Sequence, residues 1–175
     1  MQLNWCKQIT INCDLNHLLV FAKKQMLNYD WVGNSMYELI DKNSKYWQWN
    51  VSDIDNNHIQ EMITDISDRY KIPLRFKDSY LSIWEFGKGD KLPPHTDPDM
   101  SQSASVVISL IGRFDLRLHD DNDNILDSIQ YGPGQGIILN NTMHRHSGEC
   151  LDGYRLSLLL SIDPSFPIQE WFNNQ

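Results

Sequence analysis

Residues 105–139 read SVVISLIGRFDLRLHDDNDNILDSIQYGPGQGIIL. Short runs rich in apolar residues are separated here by Gly, Pro, Asn and Asp, which is the pattern of β-strands joined by turns. The same pattern of short apolar runs and turn residues continues before and after this stretch. Strands at this spacing are typical of an all-β barrel or jelly roll. The predicted strands are Ser79–Phe86, Leu92–Thr96, Ser105–Ile111, Phe114–Leu118, Ile125–Tyr131, Gly136–Leu139, His144–Ser147 and Tyr154–Ile162.

The chain before Pro73 has a different pattern, because its apolar residues recur at helical spacing. The predicted elements are a helix over 14–27 with Asp14 as its N-cap, a shorter helix over 35–42, a short strand over 46–49, and a helix from Ser52 or Asp53 to Tyr70. We therefore predict a mainly β protein with N-terminal helices, in which a double-stranded β-helix (jelly roll) core is supported by helices.

The length of 175 residues predicts a single domain over 1–175, with the helical part over 1–73 and the jelly-roll catalytic core over 78–163. No apolar stretch is long enough for a transmembrane helix, and the opening residues do not have the pattern of a signal peptide. The three cysteines, none in a Cys-x-x-Cys pair, predict neither a disulfide framework nor a zinc site. A cytoplasmic location is therefore expected.

The charge balance disfavours nucleic acid as a partner. Fifteen Lys and Arg residues against 23 Asp and Glu residues give a net charge of −8. Non-specific nucleic-acid binding requires a cationic surface that releases counterions from the phosphates. A nucleic-acid demethylase is disfavoured for the same reason, and the acidic balance suits a peptide or a small molecule better.

Histidine is the most informative residue type, because a His-x-Asp sequence occurs twice, at His95–Asp97 and at His119–Asp121. Residues i and i+2 of a strand point to the same face, so the histidine and the carboxylate can converge on one metal ion. The second copy opens a run of Asp and Asn that has the composition of a solvated turn. The first copy is therefore the better candidate for a metal site.

A third ligand could come from His144 or His146, about 50 residues beyond His95, which leaves room for several intervening strands. From His119 to the farther of these histidines the separation is 27 residues, enough for little more than two strands. The spacing favours a facial triad of His95, Asp97 and one of the two late histidines. Such a triad leaves positions open on iron(II) for a cosubstrate and oxygen.

Arg155 and Ser157 share one face of an otherwise apolar predicted strand. If this strand is central, Arg155 points into the barrel, and a buried guanidinium needs an anion. A carboxylate of the chain, such as Asp99 or Asp115, could supply it. The alternative is the carboxylate of a ligand, held bidentately by Arg155 with the Ser157 hydroxyl as a further contact. The neighbouring triad favours this second interpretation.

These motifs resemble those of the iron(II)/2-oxoglutarate-dependent dioxygenases, and within them the prolyl-hydroxylase-like branch. Residues 86–97, FGKGDKLPPHTD, match the aromatic-x-x-Gly-x4-Pro-His-x-Asp segment that carries the first two ligands of that family. Pro133–Gly136 resembles its Pro-x-x-Gly turn. Arg155 follows His146 by nine positions, a common spacing there between the distal ligand and the basic residue that binds 2-oxoglutarate. On this spacing His146 is preferred to His144.

The resemblance implies that His95, Asp97 and His146 bind Fe²⁺, and that Arg155 and Ser157 bind the 5-carboxylate of 2-oxoglutarate. It implies hydroxylation of an unactivated C–H bond in a peptidyl residue or a small amino-acid-like substrate. O2 would be consumed, succinate and CO2 released, and ascorbate could serve as a reductant. Because halogenating relatives lack the carboxylate ligand, Asp97 favours hydroxylation over halogenation.

Two alternatives remain open at the level of the sequence. A cupin-like metal-binding protein or sensor would keep the barrel without turning over 2-oxoglutarate. A cupin-like metalloenzyme would be active without any keto acid.

Overall fold

A computed structural model describes residues 5–12, 14–26, 32–33, 45–50, 57–85, 91–97, 104–152 and 155–175 of the chain. These residues form eleven strands and three helices. The strands are β1 (Cys6–Thr10), β2 (Val32–Gly33), β3 (Lys45–Asn50), β4 (Leu74–Glu85), β5 (Lys91–His95), β6 (Ser105–Ile111), β7 (Phe114–His119), β8 (Ile125–Tyr131), β9 (Gln135–Leu139), β10 (His146–Cys150) and β11 (Arg155–Ile162). The helices are α1 (Asn16–Met26), α2 (Asn57–Tyr70) and α3 (Ile168–Asn173).

The strands build two antiparallel sheets. The larger sheet has seven strands in the order β1-β9-β6-β11-β4-β3-β2, and the smaller sheet has four in the order β5-β10-β7-β8. From β5 to β11 the chain passes back and forth between the two sheets. This arrangement is a double-stranded β-helix, or jelly roll, supported by helices, which confirms the predicted fold class.

The larger sheet separates two hydrophobic clusters. On β11, Leu156, Leu158 and Leu160 are buried in the first cluster, which also contains the apolar faces of α2 and α3. Arg155 and Ser157 alternate with these leucines and line a cavity inside the jelly roll, as the sequence predicted. The second cluster lies between the sheets and contains residues of β7, β9 and the end of β8.

Two of the predicted N-terminal helices are described. The first helical hydrogen bond of α1 runs from the Leu19 N–H to the Leu15 carbonyl, so the helix begins one position later than the predicted N-cap Asp14 requires. The Asp14 carboxylate instead accepts a hydrogen bond of 2.8 Å from the backbone N–H of Asn16, the first residue of the helix. Helix α2 ends at Tyr70, as predicted, whereas residues 51–56 and the predicted helix over 35–42 lie outside the described residues. None of the helices in the described ranges is long and apolar enough to span a membrane.

Strand β1 is an element that the sequence did not predict. It pairs with β9 at the edge of the larger sheet, from Cys6 opposite Leu139 to Thr10 opposite Gln135. Trp5, directly before β1, is 1% exposed, and its indole N–H donates to the Asp127 carboxylate of β8 at 2.9 Å. The segment that contains Trp5 and β1 therefore connects the larger sheet to the smaller one.

The predicted strand over His144–Ser147 is wrong at its start. Strand β10 begins at His146, because the backbone N–H of His144 bonds to the Asn140 carbonyl in a turn that precedes it. Strand β4 is likewise longer than predicted, since it begins at Leu74 rather than at Ser79.

Candidate metal centre

Strand pairing brings the side chains of His95 and His146 together. His95 ends β5, His146 begins β10, and the two residues are direct partners in the register of these strands. Their ring centroids lie 4.5 Å apart, and Nε2 of His95 lies 3.4 Å from Oδ1 of Asp97. One ligand atom from each of the three residues lies within 4.8 Å of the others, and the described ranges contain no second group of this kind.

Both histidines of this cluster are oriented by a short-range hydrogen bond. Nδ1 of His95 lies 2.7 Å from the Pro93 carbonyl oxygen, and Nδ1 of His146 lies 3.0 Å from the His144 carbonyl oxygen. A carbonyl oxygen only accepts, so Nδ1 must donate in both rings, and in the neutral imidazole Nε2 then keeps its lone pair. Metal-binding histidines ordinarily donate their second ring N–H in this way. The two imidazoles and one carboxylate therefore fit a ferrous ion.

The surroundings favour the protonation states that a metal site needs at Asp97 and His146. Burial acts to raise the pKa of Asp97, but hydrogen bonding to His95, the charge of His146 and the Asn141 amide outweigh it and lower the pKa. Burial lowers the pKa of His146. Burial also opposes protonation of His95, but its hydrogen bonds with Asp97 and Pro93 outweigh that effect and raise its pKa. A carboxylate and a neutral imidazole are the forms that bind metals.

The cluster opens onto a cavity of about 130 Å³ inside the jelly roll. An engineered protein cavity of about 150 Å³ can hold benzene, so this space suits a small organic molecule. The lining includes His95, Asp97 and His146 together with Arg155 and Ser157, the five residues that the family resemblance assigns to iron and 2-oxoglutarate. Much of the remaining wall is apolar, with contributions from β6, β7 and β9.

Arg155 is held in this cavity by aromatic residues that the sequence analysis missed. It is 8% exposed, its Nη2 donates to the Tyr131 hydroxyl at 3.0 Å, and its guanidinium carbon lies 4.0 Å from the Phe114 ring centroid. Phe114 and Tyr131 contact each other edge to face, with centroids 6.1 Å apart. No local pattern signals these contacts, because they join β7, β8 and β11.

The guanidinium of Arg155 has a hydrogen-bond donor that no group in the described part of the chain uses. Its Nε is buried without a hydrogen-bond partner in the described part of the chain, and no carboxylate there forms an ion pair with it. The prediction that Asp115 could be its partner is wrong. Asp115 alternates with the inward-facing Phe114 along β7 and pairs instead with Arg117 at 2.7 Å. The other alternative, Asp99, lies outside the described residues.

Gly148 packs against the Phe114 ring, where there is no space for a side chain. A Cβ at Gly148 would lie 2.1 Å from Cε1 of Phe114, which no side chain tolerates without movement. We expect Gly148→Ala to lower the free energy of unfolding by about 1–3 kcal/mol, the usual cost of overpacking a core. Urea denaturation would measure it. In a double-mutant cycle, Phe114→Leu should relieve part of this loss, whereas strict additivity would contradict a steric cause.

The second His-x-Asp sequence begins at the last residue of β7 and continues into the predicted Asp- and Asn-rich turn. Asp120 accepts hydrogen bonds from the backbone N–H groups of Asn122 and Asn124, both at 2.9 Å. The His119 ring donates from Nδ1 to the Asp123 carbonyl at 3.0 Å, so its Nε2 accepts from the Ser147 hydroxyl at 2.6 Å. His119 is therefore not part of the His-Asp-His cluster.

No family model matches the sequence, and no curated protein matches it either. Solved structures do share its architecture. A prolyl-4-hydroxylase from Pseudomonas putida has a TM-score of 0.59 at 14% identity, over 90% of this chain and 91% of that one. This chain has a prolyl-hydroxylase-like fold. A prolyl hydroxylase from Trichoplax adhaerens, in complex with a peptide fragment of the hypoxia inducible factor oxygen degradation domain, also has a TM-score of 0.59, at 10% identity over 98% of this chain and 87% of that one.

At these identities the likeness establishes the prolyl-hydroxylase-like fold, which is the fold that the sequence motifs indicated. Within this fold the structure brings His95, Asp97 and His146 together and leaves His144 in the preceding turn.

Proposed function

We propose that this chain is an iron(II)- and 2-oxoglutarate-dependent dioxygenase. It hydroxylates an unactivated C–H bond of a peptidyl residue, as a prolyl hydroxylase does, or of a small amino-acid-like substrate. The observation that carries the proposal is that a His-Asp-His cluster and a buried arginine line the same small cavity. The prolyl-hydroxylase-like fold supports it independently.

His95, Asp97 and His146 would hold the iron, each through an atom that the structure leaves facing the others. Iron and 2-oxoglutarate together supply the oxygen activation that protein side chains lack, with release of succinate and CO2. The backbone carbonyls of Pro93 and His144 keep the two imidazoles in the tautomer that presents Nε2. The residues of this chain therefore contribute a preoriented ligand set.

Arg155 and Ser157 would bind the 5-carboxylate of 2-oxoglutarate. The buried Nε of Arg155 is a donor without a partner in the described ranges, and a carboxylate would satisfy it with a charge-assisted hydrogen bond. The Tyr131 hydroxyl accepts from Arg155, so its own proton can be donated to the same carboxylate. Apolar side chains around the cavity, such as Val107 and Leu139, exclude water and strengthen these interactions.

A peptide substrate is favoured by the Trichoplax adhaerens structure, which holds a peptide fragment on the same fold. In the family that the sequence motifs resemble, halogenating enzymes lack this carboxylate and bind a halide in its place. The carboxylate of Asp97 therefore favours hydroxylation over halogenation. The net charge of −8 keeps nucleic acid disfavoured as a substrate.

An anaerobic titration tests the proposal. Fe²⁺ is added first and 2-oxoglutarate second, and we expect the weak visible charge-transfer absorption of a chelated keto acid at one equivalent of each. Oxygen and candidate peptides or amino acids are then supplied with ascorbate, and succinate is measured. Binding of Fe²⁺ without a response to 2-oxoglutarate would favour a cupin-like metal protein. No response to Fe²⁺ would refute the proposal altogether.

A further inference from the structure

Asp97 is held on its second oxygen by a residue outside the His-Asp-His cluster. The side-chain amide of Asn141 donates from Nδ2 to Oδ2 of Asp97. The backbone of Asn141 also contacts Asp97, because its carbonyl accepts from the Asp97 N–H at 3.1 Å. Oδ1, the other carboxylate oxygen, is the one that faces Nε2 of His95. The two oxygens of Asp97 therefore have different partners.

The orientation of the Asn141 amide follows from the chemistry of its partner. An ionised carboxylate only accepts hydrogen bonds, so the NH2 group of Asn141, and not its oxygen, must face Oδ2. Asn141 is 2% exposed, which removes competing water from this contact. A buried hydrogen bond to a charged group is among the stronger interactions in proteins.

We propose that Asn141 is a positioning residue for the metal centre. By occupying Oδ2, it fixes the rotation of the Asp97 carboxylate and leaves Oδ1 as the single oxygen directed at the metal. A carboxylate free to rotate could offer both oxygens and take a coordination position that the cosubstrate or oxygen requires. This assignment rests on the proposed function, since it presumes a metal at His95, Asp97 and His146.

The neighbouring residue Asn140 provides a matched control. It belongs to the same turn and is 0% exposed, but its side-chain amide donates to Gln169 of α3 at 3.3 Å rather than to Asp97. Replacement of either asparagine by alanine removes one buried amide from the turn. Only Asn141→Ala removes the hydrogen bond to the carboxylate.

The test compares Asn141→Ala, the shape-preserving Asn141→Leu and Asn140→Ala with the unmodified chain. Fe²⁺ affinity is measured anaerobically, and the ligand-field absorption of bound Co²⁺ reports the coordination number. Loss of an outer-shell partner typically lowers metal affinity about 10- to 100-fold, and we expect this for both Asn141 variants. We also expect an altered Co²⁺ spectrum for them and an unaltered one for Asn140→Ala. Thermal unfolding of the metal-free proteins identifies any variant that fails to fold.

The outcomes separate this assignment from the proposed function. Unchanged Fe²⁺ affinity and Co²⁺ spectrum in both folded Asn141 variants would overturn the positioning role and leave the proposed function intact. Equal losses in Asn140→Ala would also overturn it, because the turn as a whole would then be responsible. An unmodified chain that binds neither metal would refute the proposed function, and the assignment with it.

Discussion

His146→Ala is expected to lower Fe²⁺ affinity by more than about 100-fold, since it deletes a proposed ligand and loss of an outer-shell partner alone costs about 10- to 100-fold. The side chain lies at the start of β10, opposite His95, and one of its ring nitrogens lies within 4.8 Å of ligand atoms of His95 and Asp97. Anaerobic Fe²⁺ titration of the purified variant measures the change.

His144→Ala is the matched control for this experiment. It removes the same side chain two positions earlier, from the turn that precedes β10, and keeps the His144 carbonyl that accepts from the His146 ring. We expect its Fe²⁺ affinity to equal that of the unmodified chain. A larger loss in His144→Ala than in His146→Ala would show that the metal selects the other histidine.

The second large effect is expected at Arg155. Replacing one partner of a buried, hydrogen-bonded charge pair costs about 2–5 kcal/mol, which is roughly a 30- to 4000-fold loss of affinity. Arg155→Met should therefore abolish measurable 2-oxoglutarate binding at ordinary concentrations. It should leave Fe²⁺ binding unchanged, because none of the three candidate ligands belongs to β11. Isothermal titration of 2-oxoglutarate into the anaerobic Fe²⁺ complex measures the loss.

Arg117→Met supplies the control for Arg155. This arginine belongs to the same jelly roll, but it pairs with Asp115 and Glu149 on the side of β7 that points away from the cavity. Its replacement should leave 2-oxoglutarate affinity unaffected. If Arg155→Met binds 2-oxoglutarate as tightly as the unmodified chain does, Arg155 has only a structural role, through its contacts with Phe114 and Tyr131.

The jelly roll could be predicted because its strands carry local signals. Short runs rich in apolar residues identify β6 and β11, and turn-forming residues separate most neighbouring strands. Strand β1 was not predicted, because only Ile9 within it is buried and the segment therefore shows no alternation of apolar and polar residues. Helix α3 spans only Ile168–Asn173, too short for a helical period to be distinguished.

The candidate site was predictable only as far as its motifs reach. The spacing of His95, Asp97 and His146 along the chain is visible in the sequence, and the structure brings these residues together. The residues that orient the site are different in kind. Asn141 contacts Asp97 across 44 positions, and Tyr131 contacts Arg155 across 24, so each pair exists only once distant segments have paired.

The error at Asp115 has the same origin. A sequence shows that Arg155 needs an anion, but it does not show which carboxylates face the same space. The alternation of β7 turns Asp115 away from the cavity and towards Arg117, and this orientation depends on which face of the strand the core occupies.

The pairing of β1 with β9 has a consequence for the kinetics of folding. It joins positions 6 and 139, so forming this edge of the sheet closes a loop that contains most of the chain. Contacts between such distant positions form slowly, because the chain loses the entropy of loop closure before the new contact lowers its free energy. We expect the docking of Trp5 and β1 to be a late step, after the pairing of β7 with β8, whose strands are neighbours along the chain.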